Sequence, residues 1–238
     1  MTATPATETT ETTETTESTG TTGAYEPTDR TVPTRSRDRA RYDRETVHSI
    51  LDGAYICHLG FVRDGAPVVL PTLFARVGES LYVHGSTGSR PLLAAGRTDP
   101  GLPVCVTVTH VDGLVLARSA FHHSLNYRSV VVHGTARQVT DEAECRTALG
   151  AMVDAVAPGR SGDVRPANAK ELAATAVIRV DLEEVSAKLR TGGVNDDAED
   201  LGLPHWAGVV PVGTTYGTPV PAADLTPGIA VPDYLTGL

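Results

Sequence analysis

The 238-residue sequence has only three cysteines, Cys57, Cys105 and Cys145, and none lies close to another. Three thiols cannot all pair within one chain, and no C-x-x-C spacing occurs. A disulfide framework and a paired-cysteine metal or redox site are therefore excluded, and reduced thiols in a cytoplasmic protein are expected. No apolar run approaches the roughly eighteen residues that a membrane helix requires. The N-terminus lacks the apolar core of a secretory signal. Walker, G-x-G-x-x-G, H-E-x-x-H and H-x-x-E-H patterns are also missing. Positive charge is short as well: the formal net charge is −9 at pH 7. Such a surface repels a phosphate backbone over most of its area, so neither nucleic acid nor an anionic membrane is the expected partner. A local cluster of donors can still hold a small anion.

What is present is uneven. Residues 1–40 contain almost no large apolar groups and repeat a Thr-Thr-Glu unit around Glu8, Glu11 and Glu14. A segment of that composition cannot bury enough apolar surface to offset its ordering entropy and is read as a disordered tail. Residues 41–212 form the expected folded domain. Residues 213–238 are rich in Gly, Pro and Thr and read as loosely ordered.

Within the domain, Val47, Ile50 and Leu51 share a helical face over residues 46–53. Strands follow at 54–62 and 66–77, joined by the hairpin signal Asp64-Gly65. Pro71 lies inside the second strand and marks an edge, bulge or bend, because proline donates no ladder hydrogen bond. Further strands are predicted at 80–84, 103–111, 114–118 and 127–139, with Asp112-Gly113 as a second hairpin. A helix over 141–156, capped by Thr140, buries Cys145, Leu149, Met152 and Val156. A shorter helix at 169–175 and a final strand at 176–181 complete the pattern. Hairpin-joined strands are antiparallel, and too few crossover helices occur for a doubly wound sheet. A mainly β fold, a small antiparallel barrel with peripheral helices, fits best.

The most informative stretch is Leu81-Tyr82-Val83-His84-Gly85-Ser86-Thr87-Gly88-Ser89-Arg90. A strand ends, a Gly/Ser loop follows, and a short helix starts at Pro91. Unpaired N–H groups at a helix start form an anion site with the helix dipole. Ser86, Thr87 and Ser89 add hydroxyl donors, and Arg90 adds a planar fork suited to phosphate. A simple capped helix after a glycine turn is the plainer alternative.

Two other stretches stand out. Arg128 alternates with Ser129 at the head of the apolar strand around Val130, Val131 and Val132. An arginine aimed into a barrel or interface needs an anionic or carbonyl partner; a place at the rim against water or a surface carboxylate is the alternative. Trp206, the only tryptophan, sits in Leu203-Pro204-His205-Trp206-Ala207-Gly208. Its ring suits either a planar cofactor or ordinary core packing. The histidines His58, His84, His110, His122, His123 and His133 fall in or beside strands, where structural roles compete with ligation of haem or metal. No metal site is assigned.

Taken together, Leu70-Pro71-Thr72, the Leu81–Ser86 run with Ser89-Arg90, residues 126–134, and Pro204-His205-Trp206-Ala207-Gly208 resemble the pyridoxamine 5′-phosphate oxidase-like flavin-binding superfamily. The branch they resemble is that of nitroimidazole-resistance-type flavin-nucleotide-binding proteins. The resemblance spans residues 41–212. It implies a split β-barrel homodimer with FMN between subunits, acting as an oxidoreductase on a small organic molecule and fed by NAD(P)H or a deazaflavin. By that likeness Ser89 and Arg90 hold the phosphate. Leu70, Pro71, Thr72, Val83, His84, Gly85 and Ser86 line the flavin, Arg128 and Ser129 approach it, and Trp206 covers it from the partner. His84 is the candidate acid or base. Pyridoxal phosphate synthesis is not implied, because Arg90 is followed by Pro91 and residues 212–238 contain no Lys or Arg. Haem in place of flavin, or a non-catalytic flavin carrier or sensor, are the alternatives.

Overall fold

Left-handed backbone at Asp64 (φ 52°), Gly65 (φ 77°) and Gly78 (φ 59°) reverses the chain in tight turns, which sets three successive strands side by side. The computed structural model describes residues 23–97 and 99–237. In chain order the elements are β1 (Ala40–Arg41), α1 (Arg44–Asp52), β2 (Ile56–Arg63), β3 (Ala66–Val77), β4 (Ser80–Ser86), α2 (Arg90–Arg97), β5 (Leu102–Leu116) and β6 (Ser124–Gln138). These are followed by α3 (Glu142–Val156), α4 (Ala169–Ala174), β7 (Thr175–Asp181), β8 (Glu184–Arg190), β9 (Gly208–Pro211) and α5 (Asp233–Thr236). No helix among the described residues is long and apolar enough to cross a membrane.

Strand pairing closes a ring, β6-β7-β4-β3-β2-β5, shut by β5 against β6. β8 and then β1 extend from β6, and β9 extends from β5. Every pairing is antiparallel. Two strands pass from one half of the ring to the other. β3 pairs with β2 up to Leu73 and with β4 from Phe74. β6 pairs with β5 and β8 and then, at Arg137 and Gln138, with β7. This is a split β-barrel. Gly134 sits where β6 crosses: a Cβ there would lie 2.8 Å from Val180 Cγ1. Pro71 pairs with His58 where β3 is bonded on one side only, the edge position that its missing N–H permits.

The barrel is filled by alternating residues such as Leu59, Phe61, Val83, Val106, Val132 and Ile178. A second apolar layer, with Ala75, Tyr82, Val177, Ala148 and Met152, joins α3 to the outer face of the β3-β4-β7 half. Each buried aliphatic side chain of this kind contributes about 1.5–3 kcal/mol.

Several expectations change. Asp112-Gly113 is not a hairpin: β5 runs through it, with a register shift between Val111 and Gly113. β9 pairs with β5 from Gly113 onward and keeps that half of the strand in the sheet. Asp141, not Thr140, caps α3, accepting from the Glu144 N–H at 2.8 Å. The strand at β7 is followed by β8 and β9. On α3, Ala148 and Met152 are buried, whereas Val156 is exposed.

The boundary at residue 41 also moves. Residues 1–22 of the expected tail lie outside the described residues, but 23–40 pack on the domain. Tyr25 is 3% exposed; its hydroxyl donates to Glu79 at 2.9 Å and meets His48 Nε2 at 3.0 Å. The Arg44 guanidinium stacks 4.4 Å from the Tyr25 ring centroid and pairs with Glu79. Arg30 pairs with Glu184 at 2.6 Å.

Burial, helped by the Glu79 carboxylate, pushes the Tyr25 phenol above its ordinary value. A raised phenol stabilises the fold fully below the unfolded value of about 10 and loses that contribution as the pH climbs beyond it. Tyr25→Phe is expected to cost about 1–2 kcal/mol at neutral pH and to flatten the alkaline decline. Urea midpoints from about pH 7 to about pH 11 check both.

Candidate functional site

The site is built on β4, a strand buried on both faces from Ser80 to Val83. Leu81 and Val83 face the barrel core, while Tyr82 joins the layer under α3. His84 follows Tyr82 on that outer face. β4 pairs with β3 from Val77↔Ser80 to Phe74↔Val83, and there the pairing ends. β4 continues along β7 as far as Ser86↔Thr175, while earlier residues of β3 run along β2. The two strands therefore part like a wedge. Leu70, Pro71 and Thr72 flank it on one side, and His84, Gly85 and Ser86 on the other. The first three pair with β2 and the second three with β7.

Beyond Ser86 the chain makes the expected turn. The Ser89 N–H donates to Ser86 O at 2.9 Å, the Thr87 N–H to Ala174 O at 3.1 Å, and the Leu93 N–H to Ser89 O at 2.9 Å. α2 is held on the barrel by buried Pro91, Leu92 and Ala95. A Cβ at Gly85 would touch Leu92 at 3.4 Å, so the turn lies close on the helix. Arg90 is exposed, and no carboxylate among the described residues pairs with it. Arg90 opens α2, where first-turn N–H groups, apart from the one that Pro91 lacks, have no helical partner; a helix start of this kind can take a small anion.

On the outer face of β4 a cavity of about 1030 Å³ lies between α3, the 3₁₀ turn Arg160–Asp163, and α4. Leu73, His84, Leu149, Met152, Val153 and Val156 are among its walls. This is the upper end of the range of about 300–1,000 Å³ for small-molecule sites. His84 Nδ1 is buried there without a hydrogen-bond partner, an arrangement that costs free energy unless something occupies it. Arg146, Arg160 and Arg165 border the cavity. Arg146 pairs with Glu142 at 2.8 Å and Arg165 with Glu171 at 2.7 Å. The Arg165 hydrogen bonds, with the Asn168 backbone N–H, hold the Glu171 carboxyl down at about 2.

The cavity was not read from the sequence, although a signal exists. α3 carries Leu149, Val153 and Val156 in addition to Ala148 and Met152, more apolar surface than a single packed stripe needs.

Other expected residues go elsewhere. Val83 is 2% exposed in the barrel core, so its side chain cannot line a ligand groove. Arg128 is bound bidentately to Asp112 at 3.0 and 2.9 Å. Ser129 points to the opposite face of β6, its hydroxyl donating to Lys188 O at 3.2 Å. Trp206 is 68% exposed, its indole folded against Gly208, so it does not pack in the core. Among the other histidines, His110 meets Ile50 O at 2.9 Å, His122 meets Asp197 at 3.0 Å, and His123 meets Ser119 O at 2.9 Å. Cys57 is buried and its thiol is pushed up to about 12 by desolvation, so it is an inert thiol beside the wedge.

The family model for pyridoxamine 5′-phosphate oxidase matches residues 43–189. Among solved structures, the flavocytochrome Anf3 from Azotobacter vinelandii is 40% identical, with a TM-score of 0.81, covering 89% of this chain and 97% of that one. An FAD and haem binding protein from Mycobacterium smegmatis is 40% identical, with a TM-score of 0.78, covering 84% and 96%. A protein assigned to 5-nitroimidazole antibiotic resistance, from Bacteroides thetaiotaomicron, is 21% identical with a TM-score of 0.51, covering 63% and 85%; this is a likeness of fold. No curated protein sequence matches.

The pairing at the head of β6 has a direct test. Hydrogen bonds from Arg128, against some desolvation, hold the Asp112 carboxyl below the usual carboxylate range. Its contribution is present above the unfolded value of about 3.9 and is lost as the pH falls through the lower folded value. Arg128→Gln is expected to cost about 0.2–1 kcal/mol at neutral pH, with a smaller difference from the parent under acid. Urea unfolding at both pH values measures it.

Proposed function

Because the chain belongs to the pyridoxamine 5′-phosphate oxidase family, we propose that it is a redox protein carrying a flavin at the β4–α2 turn and a haem in the adjoining cavity. The observation that carries the reading is the placement of His84. The His84 side chain lines a large, mainly apolar cavity and its Nδ1 has no hydrogen-bond partner, while the residues that follow it, Gly85 to Arg90, make up the β4–α2 turn. The two relatives that share 40% of their residues with this chain bear names that combine a flavin with a haem.

The residues fit both groups. At the turn, the Arg90 guanidinium has no carboxylate to give up among the described residues, and Ser86, Thr87 and Ser89 supply hydroxyls. These would hold a flavin phosphate, with Leu70, Pro71 and Thr72 across the wedge against the rest of the molecule. Of the flavins, FAD is favoured over the FMN implied by the wider superfamily, on the name of the mycobacterial relative. In the cavity, His84 would be the iron ligand. Leu149, Met152 and Val153 would exclude water. When bound, the flavin supplies two-electron chemistry and the haem one-electron chemistry. β4 then positions both: its backbone end grips one and its His84 side chain holds the other. This role replaces that of His84 as an acid or base.

The proposed activity is oxidoreduction with a small organic molecule or reduced nicotinamide as donor at the flavin. A homodimer is part of the reading. Ile56, Val69 and Val111 are exposed on the outside of the β2-β3-β5 half, and Leu125 and Trp206 are exposed as well. An apolar surface of this kind marks an interface.

The absorption spectrum of the purified protein tests the pair, with a flavin double band and an intense Soret band expected together. Arg90→Ala is expected to weaken flavin retention about tenfold or more, since charge-assisted hydrogen bonds contribute about 1.5–3 kcal/mol, with the Soret band kept. His84→Ala is expected to abolish or shift the Soret band with the flavin kept. Unchanged flavin affinity in the first variant, or an unchanged Soret band in the second, overturns the corresponding assignment. The mass of the extracted flavin separates FAD from FMN.

A further inference from the structure

The chain does not end where the barrel does. The Val212 N–H still bonds Asp112 O at 3.0 Å. From there to Pro232 no strand or helix forms, and almost every residue is exposed, Val220 by 90%. Along it Tyr216 lies beside Tyr55. The arm then lands on the cavity. α5 has four residues, too few to be stable alone, so its contacts must hold it. Leu235 supplies part of the cavity wall. The Tyr234 hydroxyl donates to Asp163 at 2.7 Å and accepts from the Arg160 guanidinium at 2.9 Å. Arg160 and Asp163 belong to the 3₁₀ turn that forms the neighbouring wall, and they pair with each other at 3.4 Å. The latch thus joins the last residues of the chain to the cavity wall itself.

We propose that the C-terminal segment is a retaining strap for this cavity, with Leu235 as its apolar closure and Tyr234 as its latch on Arg160 and Asp163, so that release of the latch sets the rate at which an apolar ligand enters and leaves. Identifying that ligand as haem rests on the reading given above. An exposed arm with few buried contacts opens locally at little cost, whereas the barrel behind the cavity does not. The strap therefore controls exchange without disturbing the β4–α2 turn.

The test uses the full-length, haem-loaded protein, Tyr234→Phe, and a variant lacking residues 233–238. Haem transfer to excess apomyoglobin gives the release rate, and bound flavin is measured in the same samples. Tyr234→Phe is expected to speed haem release about tenfold, equivalent to ~1.4 kcal/mol, and the truncation more, both with flavin content unchanged. Release at the parental rate in both variants overturns the strap. Should the parent take up no haem, the haem reading falls while the strap is still decided by anilinonaphthalene sulfonate exchange with the cavity. Faster exchange in the two variants supports the strap, and equal exchange overturns it.

Discussion

The parting of β3 and β4 beyond the Phe74–Val83 pair is the constraint from which the site follows. Up to that pair, β4 is bonded on both edges and buried on both faces. Beyond it, β4 keeps only β7, and β3 turns its bonding to β2. An unpaired edge at that point leaves backbone groups that water or a ligand must satisfy. Leu73 and His84 stay in their ladders, with Ile56 and Val177, and lie on the wall of the cavity on the outer face. A barrel whose β3–β4 pairing ran on past this point would have no wedge.

α3 stabilises this opening by dividing its apolar surface. Ala148 and Met152 seal the outer face of the β3-β4-β7 half. Leu149, Val153 and Val156 face the cavity. The helix is thus both a structural lid on the barrel and a wall of the site. The 3₁₀ turn and α4, fixed by the Asn168–Glu171 capping box and the Arg165–Glu171 pair, complete the enclosure. Polar contacts hold the rim while the interior stays apolar, the division expected of a pocket for a large, mostly apolar ligand.

Much of the fold was legible because its turns are chemical. Asp64-Gly65 and Gly78 permit left-handed backbone, and they delimit β3 at the residues the sequence suggests. The β4–α2 turn was legible for the same reason, as a strand, a Gly/Ser turn and a helix in succession. What was not legible depends on partners distant in sequence. Asp112-Gly113 carries the composition of a two-residue hairpin, yet the same residues serve a bulge once β9 pairs across β5. β8 alternates Val185, Ala187 and Leu189 with polar residues, but its charges disguise a strand that β6 fully pairs. Residues 23–40 look like tail by composition, yet they dock through Tyr25, on which His48, Glu79 and Arg44 converge, and through the Arg30–Glu184 pair. The cavity is the extreme case, assembled from β3, β4, α3, α4 and α5, none of which reveals it alone.

The arginines show why residue type is a weaker guide to a site than the company a side chain keeps. Arg90 opens α2 and Arg128 lies near the start of the apolar strand β6, and by residue type either could grip a phosphate. Arg128 already holds Asp112 through two hydrogen bonds. Recruiting it for a ligand would first break that pair, which reduces what the new contact contributes. Arg90 has no such debt among the described residues; it stands at a helix start where the dipole already favours an anion. The free energy of binding is a difference between paired states. An arginine that holds no carboxylate can therefore give its full charge-assisted bond to an incoming anion, which is why Arg90 suits the role proposed for the β4–α2 turn better than Arg128 does.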